Sequence, residues 1–382
     1  MGPKGRFLPR VVAWAPQRRR FVMRRRAPKQ VGASLRPFLS QRGSILRHPF
    51  NRPRVIDLET SAAQEQGTTM SANADVWPDL SSPSLGPTVE TLQLWTQIVG
   101  KVRLARTPWL NHSWHATFHV SARGLATPLI PHETVSFALE FDLVAGELII
   151  RVSDGGERRI RLAPGSVAEF HAEVMDGLKA LGVATDIVPT PNEMAEATPF
   201  PQDTRPRGYD AGAARDYWRA LVQVDRVLNR FRSRFLGKCS PVHLFWGGFD
   251  MAVTRFSGRR APVHPGGVPN LPDDVTREAY SHEVSSAGFW AAGPDGPSFY
   301  AYAYPTPEGF ASADVSPAQA RFDPWLGEFL LPYDAVRTAP DPDAALMSFL
   351  QSTYEAAADL AGWDRAALEC EEGRPGRPRP VG

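Results

Sequence analysis

Residues 230–286 gather the side chains of this sequence best suited to chemistry. Three of its nine histidines lie there, His243, His264 and His282, together with Asp250, Glu283, Cys239, Arg259 and Arg260. Imidazoles and carboxylates brought within a few Å of one another bind a divalent metal or pass protons. His243 and Asp250 flank a Gly247-Gly248 pair that can bend a strand and bring them together. His282 and Glu283 open the next strand, and neighbouring strands lie about 5 Å apart. Between them, residues 257–273 hold four prolines and three glycines, a composition suited to a functional loop that folds over a site. We therefore expect His243, Asp250, His264, His282 and Glu283 to share one polar cleft. His243, His264 and His282 are its metal candidates, and Arg259, Arg260 and Trp246 its ligand contacts.

Other motifs point less far. His264-Pro265-Gly266-Gly267 resembles the haem-ligating motif of cytochrome b5, but Arg260 and Ala261 stand where that motif has apolar packing residues, so haem is not expected. Cys239 precedes His243 by four residues across Pro241, a spacing that favours a structural thiol over a nucleophile. His115 and His119 in an extended strand would lie about 13 Å apart, too far for one ion. GxSxG, GxGxxG, HExxH, CxxC and phosphate-loop patterns are missing from the sequence.

The elements that must position these residues read as α+β. An amphipathic helix over 88–105 repeats Val89, Leu92, Trp95, Ile98 and Val102 at three- and four-residue steps. Strands are expected at 111–120, 133–143, 147–153 and 157–162, followed by a helix at 166–181 that Ser166 and Glu169 open as a capping box. A proline-rich linker over 189–209 leads to the helix 210–236. Its apolar seam runs from Ala214 to Phe235 beside an arginine stripe, Arg215 to Arg234, read as a solvated face. Asp225 beside that seam needs an Arg or Lys partner. Further strands at 242–246, 249–256, 281–290, 298–304 and 328–331 precede a helix at 342–361. The sequence thus suggests two helix–four-strand–helix halves, 77–188 and 210–369, with antiparallel sheets and a shared ancestry by duplication. Residues 370–382 read as a disordered tail.

Charge is unevenly divided. Residues 1–56 carry 15 Lys/Arg and no Asp/Glu, whereas the rest of the chain carries 28 basic and 41 acidic residues. The segment 1–76 has no sustained apolar period and reads as a leader outside the fold, with Met70 as the initiator. Nucleic acid is a partner only if this leader belongs to the protein. No apolar run reaches the roughly 18 residues of a membrane span, and two cysteines make no disulfide framework, so a cytoplasmic setting is expected.

The run from Leu92 (LQLWTQIVGKVRLARTPWLNHSWH) and the block Phe231–Ser286 resemble an uncharacterised bacterial family known only as a domain of unknown function. The resemblance spans roughly Trp77 to Glu369 and implies no activity or cofactor. On the residues alone, two functions compete: a small-molecule enzyme using the His/Asp cleft, and a non-catalytic module that binds a ligand or a partner. A chain beginning at Met70 is expected to keep the melting temperature of the full chain; a fall of several degrees would show that residues 1–69 pack on the body.

Overall fold

In a computed structural model of the protein, residues 76–379 are described. The helix α1 (Leu85–Arg106) is buried on nearly every side, through Leu92, Trp95, Ile98 and Val102 but also through Gln97, Lys101 and Arg103. Such a helix belongs to the centre of a fold, and α1 packs against α2 (Val167–Ala180) and α3 (Ala211–Arg232). Ser166 and Glu169 close the expected capping box at the start of α2, and Asp210 caps α3.

Six strands form the first sheet: β1 (His119–Val120), β2 (Gly124–Ala126), β3 (Ile130–His132), β4 (Val135–Asp142), β5 (Glu147–Val152) and β6 (Glu157–Arg161). Its order is β1-β2-β4-β5-β6, with β3 also on β4, and every pairing is antiparallel. A small ladder joins β7 (Gly165–Ser166) to β8 (Pro206–Arg207). The second sheet holds β9 (His243–Phe245), β10 (Asp250–Arg260), β11 (His282–Trp290), β12 (Ser298–Tyr304), β13 (Arg321–Asp323) and β14 (Glu328–Pro332), in the order β13-β14-β12-β11-β10-β9. The helix α4 (Asp273–Ala279) precedes β11, and α5 (Tyr333–Arg337), α6 (Pro342–Leu360) and α7 (Arg365–Leu368) follow β14. The fold is α+β, as its periodicities indicate.

Three expectations are corrected. Each sheet has six strands rather than four, and the strand orders differ, so the sheets give no support to a duplication. The added strands are two or three residues long, too short to show a period. Residues 111–116 form a 3-10 turn instead of a strand, with His112 and Ser113 in the left-handed region at φ 59° and 61°. Tertiary bonds impose this. The His112 backbone N–H donates to Glu278 (2.6 Å), and its Nδ1 meets the Ala279 carbonyl (2.7 Å). Finally, the supposed tail is tied down through Arg379. The Cys370 N–H donates to the Arg234 carbonyl, and Glu372 pairs with Arg230 and Arg234.

The 189–209 segment packs closely, with Phe200 and Asp203 buried. One apolar cluster runs through α1, both sheets and α3, including the whole seam from Ala214 to Phe231. Within the arginine stripe, Arg226 and Arg230 pair with Asp343. Asp225 takes Asn229 as its neighbour rather than a cation (3.1 Å), and burial raises its carboxyl above the usual range. The leader through residue 75, with the start at Met70 and any nucleic-acid contact, lies outside the described residues.

The two sheets meet at one seam. Phe118 and Leu244 exchange backbone hydrogen bonds (3.0 and 2.8 Å) beside β9. Trp246, at the end of that strand, donates Nε1–H to the Ala116 carbonyl (2.6 Å) and lays its indole against Gly100 of α1. A Cβ at Gly100 would overlap that ring. Gly100→Ala is therefore expected to lower stability by about 1–3 kcal/mol through overpacking, although the same change in an open helix gains about 1 kcal/mol. Denaturant melts of the two proteins check the sign.

Candidate functional site on the second sheet

Successive side chains of a strand point to opposite faces, and β10 uses that rule to separate two environments. Met251, Val253 and Arg255 face the helices. The Arg255 guanidinium lies 3.4 Å from the Phe231 ring centroid and 4.3 Å from that of Tyr354, and it donates to the Phe231 carbonyl. Asp250, Ala252, Thr254 and Phe256 take the other face. Cross-strand register sets their neighbours: Phe245 and Trp290 on either side of Asp250, His243 and Gly288 on either side of Ala252, Ser286 beside Thr254. Tyr300 and Tyr302 of β12 continue the face opposite Gly288 and Ser286.

His243 and Asp250 are thus diagonal neighbours on one face, with Cβ atoms about 7–8 Å apart. Both are buried, at 1% and 0% exposed. The Tyr300 hydroxyl donates to Asp250 Oδ2. Its ring lies over Gly288, where a Cβ would come within 2.6 Å of the phenol oxygen, so only glycine leaves room for it. Thr254 and Ser286 join hydroxyls at 2.8 Å, as do Tyr280 and Tyr302. Half-buried Phe245, Trp290 and Tyr302 stand around this floor, and Trp114 of the 3-10 turn approaches His243 at 6.4 Å between ring centroids.

Hydrogen bonding assigns the His243 tautomer. Thr117 Oγ1 has one hydrogen and donates it to the Trp114 carbonyl (3.1 Å), so its 3.2 Å contact with His243 Nδ1 is accepted from an Nδ1–H. Nε2 then carries the lone pair. It is buried without a hydrogen-bond partner among the described residues. Burial, reinforced by His119 and Arg232, pushes the His243 pKa down to about 3, so the ring is neutral across the physiological range.

The other sequence candidates lie apart from this pair. His282 stands six residues along β11 from Gly288, the residue level with His243, which is about 20 Å of strand. Its Nδ1 meets Ser281 Oγ at 3.0 Å. Glu283 points to the opposite face, where it pairs with Arg259 (2.7 Å); Arg259 in turn donates to the Ala361 carbonyl (2.7 Å) at the end of α6. Arg260 is exposed at the frayed end of β10. His264 stacks on Tyr280 at 4.9 Å and spends Nδ1 on the Gly266 N–H at 3.0 Å, so the HPGG turn is held by its own histidine. Trp246 serves the seam. Burial pushes the Cys239 thiol up to about 11, the opposite of an activated nucleophile. Among the described residues no group of three His, Cys, Asp or Glu side chains is placed to hold a metal ion.

Two clusters escaped sequence reasoning. His112 accepts at Nε2 from Lys238 (2.7 Å), whose ammonium lies over the rings of Trp114 and Phe256 at 5.4 and 4.7 Å. Gln97 and Lys101 of α1 hold Asn192, and burial lowers the Lys101 pKa to about 8. The tyrosines were readable: Tyr300, Tyr302 and Tyr304 alternate along β12, which places three phenols on one face.

Residues 77–370 match the family described as "Family of unknown function (DUF5996)". The chain belongs to this family. The match takes in both sheets and α1 to α7, close to the span over which the sequence resembles an uncharacterised family. No curated protein matches the chain, and no solved structure matches it.

The His243 assignment has a pH signature. Because its folded pKa of about 3 lies below the ordinary value of 6.5, the unfolded chain binds the extra proton between these limits. Stability therefore falls as pH drops through that window, by up to about 1.4 kcal/mol per unit. His243→Gln removes the term, and its melting temperature is expected to fall less than the wild type's between pH 7 and pH 4. Parallel curves would contradict the buried neutral imidazole.

Proposed function

We propose that the protein binds a small organic molecule on this face of the second sheet and acts on it by proton transfer. The observation that supports the reading most is the buried His243 acceptor beside the Tyr300–Asp250 pair, on the face opposite Met251, Val253 and Arg255 and framed by half-buried aromatic rings. Concave or sheltered aromatic surfaces with a few convergent polar groups are the usual form of small-molecule sites. Asp250 is the base in this reading, and Tyr300 the hydroxyl that relays a proton to or from it. His243 positions the ligand, since an imidazole with a pKa near 3 accepts a hydrogen bond but does not hold a proton at neutral pH.

That low pKa also favours a second reading, a binding module without catalysis. In either case we read the protein as cytoplasmic and bacterial. Both cysteines are free, as in a reducing compartment, and no helix among the described residues is long and apolar enough to cross a membrane.

The test incubates the purified full chain with a metabolite extract and follows retained and altered compounds by mass spectrometry. One small molecule is expected to be retained and converted by the wild type. Asp250→Asn is expected to abolish conversion, and His243→Ala to weaken retention up to about 10-fold. Retention without conversion would establish the binding module instead. Retention unchanged in both variants, or none in the wild type, would remove this face from the function.

A further inference from the structure

Lysine is scarce in this chain. Only five of its 43 basic residues are lysines: Lys4, Lys29, Lys101, Lys179 and Lys238. The last three lie among the described residues, each in a different setting. Lys179 is exposed at the end of α2, and Lys101 is buried in α1. Lys238 combines an exposed side chain with a defined environment for its amine. The Phe256 N–H donates to the Lys238 carbonyl (3.0 Å), which lays this residue along the edge of β10. Its Nζ lies 4.7 Å from the Phe256 ring centroid and 5.4 Å from that of Trp114, and it meets His112 Nε2 at 2.7 Å.

The histidine is set as an acceptor. A carbonyl oxygen only accepts, so the 2.7 Å contact between His112 Nδ1 and Ala279 places the ring hydrogen on Nδ1 and the lone pair on Nε2. Burial lowers the His112 pKa, so the ring is neutral at pH 7. Glu278 accepts the His112 backbone N–H (2.6 Å), and its charge favours the imidazolium once a proton arrives. Burial also lowers the Lys238 pKa, against the pull of Glu278, which enlarges the share of neutral amine. An amine held against a neutral imidazole is a nucleophile with its base in place.

We propose that Lys238 is a nucleophile for small carbonyl compounds, with His112 as its base. The Nζ lone pair attacks the carbonyl carbon and a C–N bond forms. His112 Nε2 takes one proton from Nζ and passes it to the carbonyl oxygen, giving a carbinolamine. The second Nζ proton follows by the same route, the C–O bond breaks, and the oxygen leaves as water. An imine remains on Lys238. Both hydrogens of the water come from the amine, so no oxidant or reductant takes part. Protonation of the imine restores a cation that the Phe256 and Trp114 rings attract as they attract the ammonium. The half-buried Trp114 indole favours a flat carbonyl compound, an aromatic aldehyde above others. The site uses neither His243 nor Asp250 and stands apart from the function proposed above.

Reductive trapping tests it. The full chain is incubated with salicylaldehyde and cyanoborohydride, which reduces imines, and labelling of each lysine is followed in time by peptide mass spectrometry. Lys238 is expected to be labelled at least about 10-fold faster than the exposed Lys179. His112→Asn removes the base with a residue that tolerates the left-handed backbone there. It is expected to slow Lys238 by about 10-fold or more while Lys179 keeps its rate. Lys238→Arg keeps the cation over the rings and is expected to abolish the fast phase of labelling in the intact mass. A Lys238 rate no higher than that of Lys179 in the wild type would overturn the proposal without recourse to any variant. An unchanged Lys238 rate in His112→Asn would overturn the role of the imidazole.

Discussion

The side-chain alternation of β10 divides the second sheet into two environments, and the candidate site depends on that division. Arg255 sends its guanidinium among Phe231, Phe235 and Tyr354 on the helix side. That contact and the buried Met251 and Val253 fix which face of the strand meets α3 and α6. A register slip of one residue would turn Arg255 outward and drive Asp250 into the apolar core, so the register is strongly specified. Asp250, Thr254 and Phe256 are thereby committed to the opposite face, where β11 and β12 supply Trp290, Ser286, Tyr300 and Tyr302. The polar face is a consequence of how firmly the apolar one is held.

The seam between the sheets completes the site. β9 is a short edge strand, yet it carries His243 and Phe245. It is held by the Phe118–Leu244 bridge and by Trp246 lodged against Gly100. The same bridge delivers Thr117 to His243 and brings Trp114 over it. A residue from the first half thus sets the tautomer of a histidine in the second. The left-handed backbone at His112 and Ser113 makes this possible, because an extended chain there would carry Trp114 away. Left-handed φ in non-glycine residues is costly and persists where surrounding bonds over-determine it. Here Glu278 and Ala279 do so.

Much of this was legible in the sequence where elements are long and periodic. The α3 seam, the capping box at Ser166 and the strands β4, β5, β11 and β12 follow directly from spacing. The pairing of His243 with Asp250 across Gly247-Gly248 was also readable, since the bend returns the chain as a hairpin. What could not be read is which face a residue takes relative to its neighbours in space. His282 and Glu283 are adjacent in sequence and therefore oppose one another on the strand. His264 lies in a loop whose own glycine amide consumes its lone pair. The alternation of residues 111–120 suggested a strand, and only tertiary bonds from α4 turned it into a 3-10 turn. Short strands such as β13 carry too few residues to declare themselves.

The central claim is that His243 Nε2 and Asp250 address one ligand on one face. The most direct measurement is a crystal structure of the protein purified without ligand exchange. The account predicts density for a small molecule against Phe245 and Trp290, within hydrogen-bond distance of both His243 Nε2 and the Asp250 carboxylate. A bound molecule on another surface, or His243 Nε2 bonded to another segment of the chain itself, would contradict it.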